Sequence, residues 1–346
     1  MFSPPQKILV TGATGFLGRH VVDALLQQGR KVRLLVRNPK HKVLDQFANQ
    51  FPSKFAGNES IEVLQGDVLD VPSLEEAFAG MEAVIHTAAV VSFARRNKNH
   101  MHRVNVQGTA NVVNVALECP SICRMVHVSS VAALGRSFDG QTIDEKSKWT
   151  ESKFNTDYGR SKFLAEREVF RGQAEGLSAQ IISPSLIIGP GNWHAGPPRF
   201  FSRVDKGLSY FPVGRNSVVG VWDVARATTL LLDVEDEECR RYILAERSLT
   251  YEELFQRISH AMGKKPPPKR VQPGLARFVG RTMEALPFLF GKDPQLTLQS
   301  ARTSGSSFSY SAERFRERFS FTFEPIEEVI ARTASQYKQE NRSRDD

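Results

Sequence analysis

The chain has 346 residues, 40% hydrophobic and 24% charged, a composition that suits a folded globular protein with one large α/β core or a core with an appendage. No apolar run approaches the roughly 20 residues needed to cross a bilayer, and residues 1–6 are too short for a secretory signal, so a cytoplasmic protein without a transmembrane segment is expected. The formal charge is +8, but the basic residues are scattered through helical stretches, which argues against nucleic acid; Cys119, Cys123 and Cys239 are odd in number and lack histidines at ligand spacing, which argues against a metal site or a disulfide framework.

In chain order, 7–11 (KILVT), 31–36 (KVRLLV), 61–64 (IEVL), 83–86 (AVIH) and 124–129 (RMVHVS) are short apolar runs of the kind that become buried parallel strands. Amphipathic stretches near 18–28, 73–79, 104–117 and 158–175 predict the intervening helices. Such alternation predicts a doubly wound sheet with right-handed crossovers. A further strand at 179–182 is expected to pair with 242–244, after a helix at 223–232. Beyond Pro184 the composition shifts: 190–211 is rich in glycine, proline and aromatics, and 264–273 holds three consecutive prolines. These borders predict a first domain over 1–183, to which 216–245 returns, a smaller interrupted region from 184–215 and 246–340, and a frayed tail at 341–346.

Directly after the first run stands Thr11-Gly12-Ala13-Thr14-Gly15-Phe16-Leu17-Gly18, followed by a helix. Gly12 permits a tight turn, Gly15 lets a pyrophosphate approach the backbone, and Gly18 lets helix pack on strand, while free N–H groups at the helix start face the phosphates. The expected fold is therefore α/β, a Rossmann-type doubly wound parallel sheet with a smaller, interrupted C-terminal substrate-binding region. The second strand ends in Val36-Arg37-Asn38-Pro39-Lys40 with no acid before Asp45. An acid there would hold a ribose 2′-hydroxyl; an arginine suits a 2′-phosphate, so Arg37 is the candidate ligand, with Arg33, Lys40 or Lys42 assisting. NADP(H) is the expected cofactor and NAD(H) its alternative. Asp67, next to Val68, offers a carboxylate to the adenine amino group, with a helix-capping acid such as Asp70 as the competing explanation; Ala88 and Ala89 are small where backbone must lie against the cofactor. His86 reads as a packed or hydrogen-bonded structural residue.

Tyr158 and Lys162 lie four residues apart, on one face of a helix. A free tyrosine, with a pKa of about 10, supplies little phenolate at neutral pH, and a neighbouring cation favours that form. Ser130, at the end of the fifth strand, is placed to bond the same substrate oxygen.

With these motifs the chain resembles the extended short-chain dehydrogenase/reductases, also called the NAD-dependent epimerase/dehydratase family. TGATGFLG at 11–18, Asp67-Val68, HTAA at 86–89, Asn105-Val106 with Gly108-Thr109 and Asn111, Ser129-Ser130 with Gly135, YGRSK at 158–162, Pro184 with Gly189-Pro190-Gly191, and Val221-Trp222-Asp223-Val224-Ala225 follow the family's order. The resemblance implies Ser130, Tyr158 and Lys162 as a catalytic triad and Gly12, Thr14, Gly15, Phe16, Leu17, Gly18, Val68, Ala88, Ala89 and Ser129 around the cofactor. It further implies nicotinamide contacts near Pro184 and Ile187, a junction-stabilising Asn105, and a homodimer through the helices at 104–117 and 158–175.

Dehydratases of this family carry Asp and Glu after the catalytic hydroxyl, where this chain has Val131 and Ala132. The nucleotide-binding asparagine and arginine of the epimerases are also displaced, by Ser183-Pro184-Ser185-Leu186 and Asn216-Ser217-Val218 beside Arg215. Residues 29–37 resemble dihydroflavonol reductases, and 294–302 with 309–323 resemble that branch and the 3β-hydroxysteroid-dehydrogenase-like reductases. An NADP(H)-dependent carbonyl reductase or alcohol dehydrogenase acting on a small-to-medium, largely apolar ketone or secondary alcohol is expected; a nucleotide-sugar epimerase with retained NAD and a non-catalytic NADP(H) sensor or scaffold are the alternatives. Phe93, Trp193, His194 and Phe211, with the 278–290 stretch, are candidate substrate walls, and 275–290 is a minor candidate for a membrane-surface contact.

Overall fold

A computed structural model describes residues 3–50, 60–135, 142–152, 154–234, 241–272, 274, 276, 278–279, 282 and 298–345. Seven strands build the central sheet: β1 (Lys7–Thr11), β2 (Lys31–Val36), β3 (Ile61–Gln65), β4 (Ala83–His86), β5 (Arg124–Val128), β6 (Ala179–Pro184) and, late in the chain, β10 (Arg241–Leu244). Their order is β10-β6-β5-β4-β1-β2-β3 and every pairing is parallel. The strand order reverses between β1 and β4, where Thr11 pairs with His86, and their C-terminal ends open the crevice typical of this topology. Strands β4 and β5 are buried at every residue, which is why their sequences run apolar instead of alternating.

Helices cover both faces. On one, α1 (Phe16–Gln27) packs beside the helix Val221–Leu230 over Ile8, Val10, Ile85 and Tyr242. On the other, Leu74, Phe78, Val112, Val113 and Val169 from three helices meet Leu9, Val84 and Met125. A third apolar cluster surrounds a small sheet of β7 (Leu186–Ile188), β9 (Arg215–Gly220) and β11 (Arg247–Thr250). Strand β9 thus joins this small sheet, and from the returning segment it is the helix Val221–Leu230 and β10 that go back to the central one.

Two helices differ from the sequence pattern in an informative way. The helix read at 18–28 starts two residues earlier, because Gly15 already serves as its N-cap. The helix read at 104–117 is divided: a π-helical turn, Arg103–Gln107, precedes the α-helix Gly108–Glu118. A hydrophobic period cannot announce a π turn, which inserts a residue without changing the helix direction, and such turns concentrate at functional sites. The stretch 283–290 lies outside the described residues, as do Arg277, Gly280 and Arg281; Phe278 itself is exposed.

Near the C-terminus, Phe315 of the helix Glu313–Phe319 is fully buried against Tyr242, Phe319, Phe321 and Phe323, with ring centroids 4.8–6.5 Å away. This cluster fastens the late chain to β10. Phe315→Ala should therefore cost about 3–5 kcal/mol of stability by urea denaturation, and a loss below ~1 kcal/mol would show that the cluster is dispensable.

Candidate active site

The turn after β1 is shaped by what cannot fit. Gly12 has φ +73°, and a Cβ there would lie 2.6 Å from the Ala88 backbone nitrogen. A Cβ on Gly18 would run into the Gly12 carbonyl, so only glycine lets α1 settle on the turn. The N-cap Gly15 provides no side-chain hydrogen bond, so the first-turn N–H groups of α1 keep their capacity for an anion. This cradle fits a dinucleotide pyrophosphate. Thr14 is half-buried at its rim and Leu17 is part of the core. Phe16 packs against Gly191, and His20 donates from Nε2 to the Pro190 carbonyl at 3.0 Å. His20, which sequence reading passed over, thereby ties the Gly189-Pro190-Gly191 turn to α1; burial pushes its pKa down to about 4, so it stays neutral.

At the end of β2, Arg37 is exposed and has no side-chain partner among the described residues; Lys40 and Lys42 are exposed beside it. Arg33 has a different task from the assisting one expected. Its Nε bonds Glu62 at 2.7 Å, and its Nη1 caps the end of the helix Val71–Phe78 through the carbonyls of Ala77 (3.0 Å) and Ala79 (2.7 Å). The Asp67 carboxylate accepts the Leu69 N–H at 2.9 Å, while Asp70 occupies the helix N-cap without a side-chain bond. Val68 is buried beneath Gly108, and its carbonyl accepts from Asn111 at 2.9 Å. Ala89 is exposed, one residue beyond Ala88.

The catalytic candidates stand on two elements. The helix α6 (Asp157–Ala174, following α2 at Lys42–Gln50, α3 at Val71–Phe78, α4 at Lys98–His102 and α5 at Gly108–Glu118) is started by Thr156, whose hydroxyl accepts the Gly159 N–H at 2.9 Å. Ser130 opens a 3₁₀ turn after β5, with its hydroxyl accepting the Ala132 N–H at 3.2 Å. The two elements touch at Gly159, where a Cβ would come 2.7 Å from the Ala132 carbonyl. That close approach brings Tyr158 to Ser130. Burial raises the phenol's pKa, and the neighbouring Ser130 hydroxyl works against the rise. The rings of Phe93 and Tyr158 meet in a T-shaped contact, with centroids 6.2 Å apart.

One turn along, Lys162 is buried, and its Nζ donates to the Val128 carbonyl at 2.8 Å. Burial lowers its pKa to about 8, with Glu166 one turn further on pulling it upward. Glu166 is itself buried, bonded by Ser183 at 3.1 Å and Arg241 at 3.0 Å. Asn105, in the π turn, accepts the Val90 N–H at 2.7 Å and donates to the Val90 carbonyl and the Ser161 hydroxyl, both at 2.9 Å. His86 bonds two threonines, Thr11 at 2.7 Å and Thr109 at 3.0 Å, so the structural role read from its sequence context holds. Ser129 and Pro184 are buried at the ends of β5 and β6, and Ile187 is half-buried on β7.

The expected substrate walls separate. Phe93 lies at Tyr158, whereas Trp193 and Phe211 belong to the third apolar cluster. The Trp193 indole donates to Glu340 at 2.7 Å and meets Tyr337 edge-on at 5.0 Å; its aromatic surface is taken up in packing. His194 is exposed. Among the described residues no group of three or more His, Cys, Asp or Glu converges as for a metal ion, and no helix is long and apolar enough to cross a membrane.

A parallel sheet with a glycine cradle at its switch point defines a Rossmann-type nucleotide-binding protein. The chain belongs to the NAD dependent epimerase/dehydratase family, which matches residues 8–244, and is of the extended short-chain dehydrogenase/reductase type. It is 29% identical to sterol demethylase protein B of Methylococcus capsulatus (strain ATCC 33009 / NCIMB 11132 / Bath), over 89% of this chain and 91% of that protein. It is also 29% identical to a putative dihydroflavonol 4-reductase of Synechocystis sp. (strain ATCC 27184 / PCC 6803 / Kazusa), over 93% and 92%. The crystal structure of gox2253 superposes with a TM-score of 0.79 at 28% identity, covering 97% of this chain and 99% of that one.

Asn105→Ala would strip both backbone groups of Val90 and the Ser161 hydroxyl of a partner. The expected cost is about 2–4 kcal/mol, read by chemical denaturation; a change below ~0.5 kcal/mol would mean that water takes over these bonds.

Proposed function

We propose that this protein is an NADP(H)-dependent carbonyl reductase or alcohol dehydrogenase acting on a largely apolar ketone or secondary alcohol. The observation that carries the proposal is the contact of α6 with the Ser130 turn at Gly159, which sets Tyr158 beside Ser130, with the Lys162 amine one helical turn away. When bound, the nicotinamide supplies the hydride in reduction and takes it up in oxidation. The residues of the chain handle the oxygen. Ser130 donates to the substrate carbonyl and polarises it, and Tyr158 delivers the proton as the alcohol forms. The Lys162 ammonium stabilises the phenolate left behind, offsetting the burial that otherwise favours the neutral phenol. Phe93 places an apolar ring against Tyr158, which favours an apolar substrate. Val131 and Ala132 follow Ser130, so the acid and base that water elimination needs are missing at those positions.

The preference for NADP(H) is supported by Arg37, an exposed guanidinium without a described side-chain partner at the end of β2. The cradle and the α1 N-terminus would hold the pyrophosphate, with Arg37 and Lys42 on the 2′-phosphate.

Tyr158→Phe should reduce turnover of a ketone by about 10²–10⁴-fold while NADPH affinity, followed by fluorescence, stays within about twofold; undiminished turnover would remove Tyr158 from the chemistry. Arg37→Ala should weaken NADPH binding by about 10–100-fold and leave NADH binding unchanged, whereas equal effects on both would deny a 2′-phosphate contact. Lys162 acts as a cation and its pKa is about 8, so the rate of reduction should fall as pH rises through that value. A rate constant from pH 7 to 10 would contradict that role.

A further inference from the structure

The Lys162 amine is gripped from the sheet. Besides donating to the Val128 carbonyl, Nζ lies 3.4 Å from Nε2 of His127. An ammonium has three N–H donors, so two such partners leave one for the cleft. His127 stands directly across from His86 in the β4–β5 register, and the two rings lie 5.2 Å apart. Their hydrogen bonding is unequal. Both nitrogens of His86 meet threonine hydroxyls, but Nδ1 of His127 is buried without a partner. Its one described polar contact is the lysine. A leucine or phenylalanine would fill this place on an apolar strand without leaving a polar atom unsatisfied.

We propose that His127 is a positioning residue for Lys162, its neutral imidazole accepting a hydrogen bond through Nε2 so that the buried amine stays protonated and aims its third N–H at the cleft. The inference rests on the reductase reading only for the use made of that third N–H. The charged and titratable groups facing the pair are Glu166 and Tyr158 on the same helix, His86 on β4 and Arg241 on β10, which is bonded to Glu166. Burial and the Lys162 charge hold both imidazoles neutral: His127 titrates well below its ordinary range and His86 at about 3. A neutral His127 with its proton on Nδ1 offers Nε2 as the acceptor. Protonated, it would repel the amine.

Two substitutions separate positioning from packing. In His127→Gln the amide oxygen reaches the place of Nε2; in His127→Asn it stops near Nδ1, short of the lysine. Lys162 titrates at about 8 in the folded chain against 10.5 for a free lysine, so protonation favours the unfolded chain. Its penalty on stability is complete below about pH 8 and disappears as pH rises to 10.5. Apo-protein stability from pH 6 to 11, taken as the difference between each background and the same background carrying Lys162→Met, isolates this term. In H127N the rise should begin about one pH unit lower than in the wild type, the size expected for loss of one charge-assisted hydrogen bond, and H127Q should follow the wild type. The pH at which NADPH affinity begins to fall, read by fluorescence, should move in step. H127N titrating within ~0.3 unit of the wild type, or H127N and H127Q moving equally, would overturn the proposal. A wild type that binds NADPH but reduces no ketone would defeat the reductase reading alone, since the apo-protein comparison still decides the role of His127.

Discussion

An amine buried where water does not reach needs an acceptor for each hydrogen and a negative charge within range, and the Lys162 neighbourhood is organised around that requirement. The Val128 carbonyl takes one hydrogen because β5 ends there, and Glu166 supplies the charge from one turn along α6. Glu166 would be an isolated buried carboxylate but for Arg241 and Ser183, which come from β10 and β6. The late strand β10 is therefore an electrostatic neighbour of the site as well as an edge of the sheet. Chain segments more than 70 residues apart are held together by one charge balance.

The same economy governs the approach of the backbone. Tyr158 reaches Ser130 because Gly159 carries no Cβ against the Ala132 carbonyl, and α1 reaches its turn because Gly18 carries none against Gly12. Asn105 completes the frame from the π turn, holding the strand-4 loop at Val90 and touching Ser161, whose hydroxyl bonds the Tyr158 carbonyl. These contacts fix the site from the rear and sides. Phe93 meets Tyr158 from a further side, with ring centroids 6.2 Å apart.

Much of this could be read from the residues. The apolar runs gave β1, β2 and β4 to the residue, since a strand buried on both faces writes itself as a continuous run. The glycines and the Tyr158–Lys162 spacing announced themselves because both depend on local geometry. Harder were contacts between distant segments. Nothing local to His127 says that it faces Lys162, and a histidine in an apolar strand is ordinarily a satisfied core residue. Arg33 and Arg37 look equivalent in sequence, but the pleat of β2 directs Arg33 to Glu62 and a helix end while Arg37 lies past the strand in solvent. Trp193 and Phe211 resembled pocket walls because aromatic residues serve core and pocket alike, and here the small sheet consumed them. The π turn escaped because it disturbs the helical period by a single residue.

In the proposed reaction Ser130, Tyr158 and Lys162 manage one substrate oxygen while hydride passes at the neighbouring carbon. Reduction of an apolar ketone with NADPH deuterated at the transferable C4 position tests it most directly. One deuterium should appear on the carbinol carbon of the product, from one face of the nicotinamide only. Turnover that leaves the label on the cofactor, or yields a product without deuterium at that carbon, would contradict hydride transfer to the substrate carbonyl.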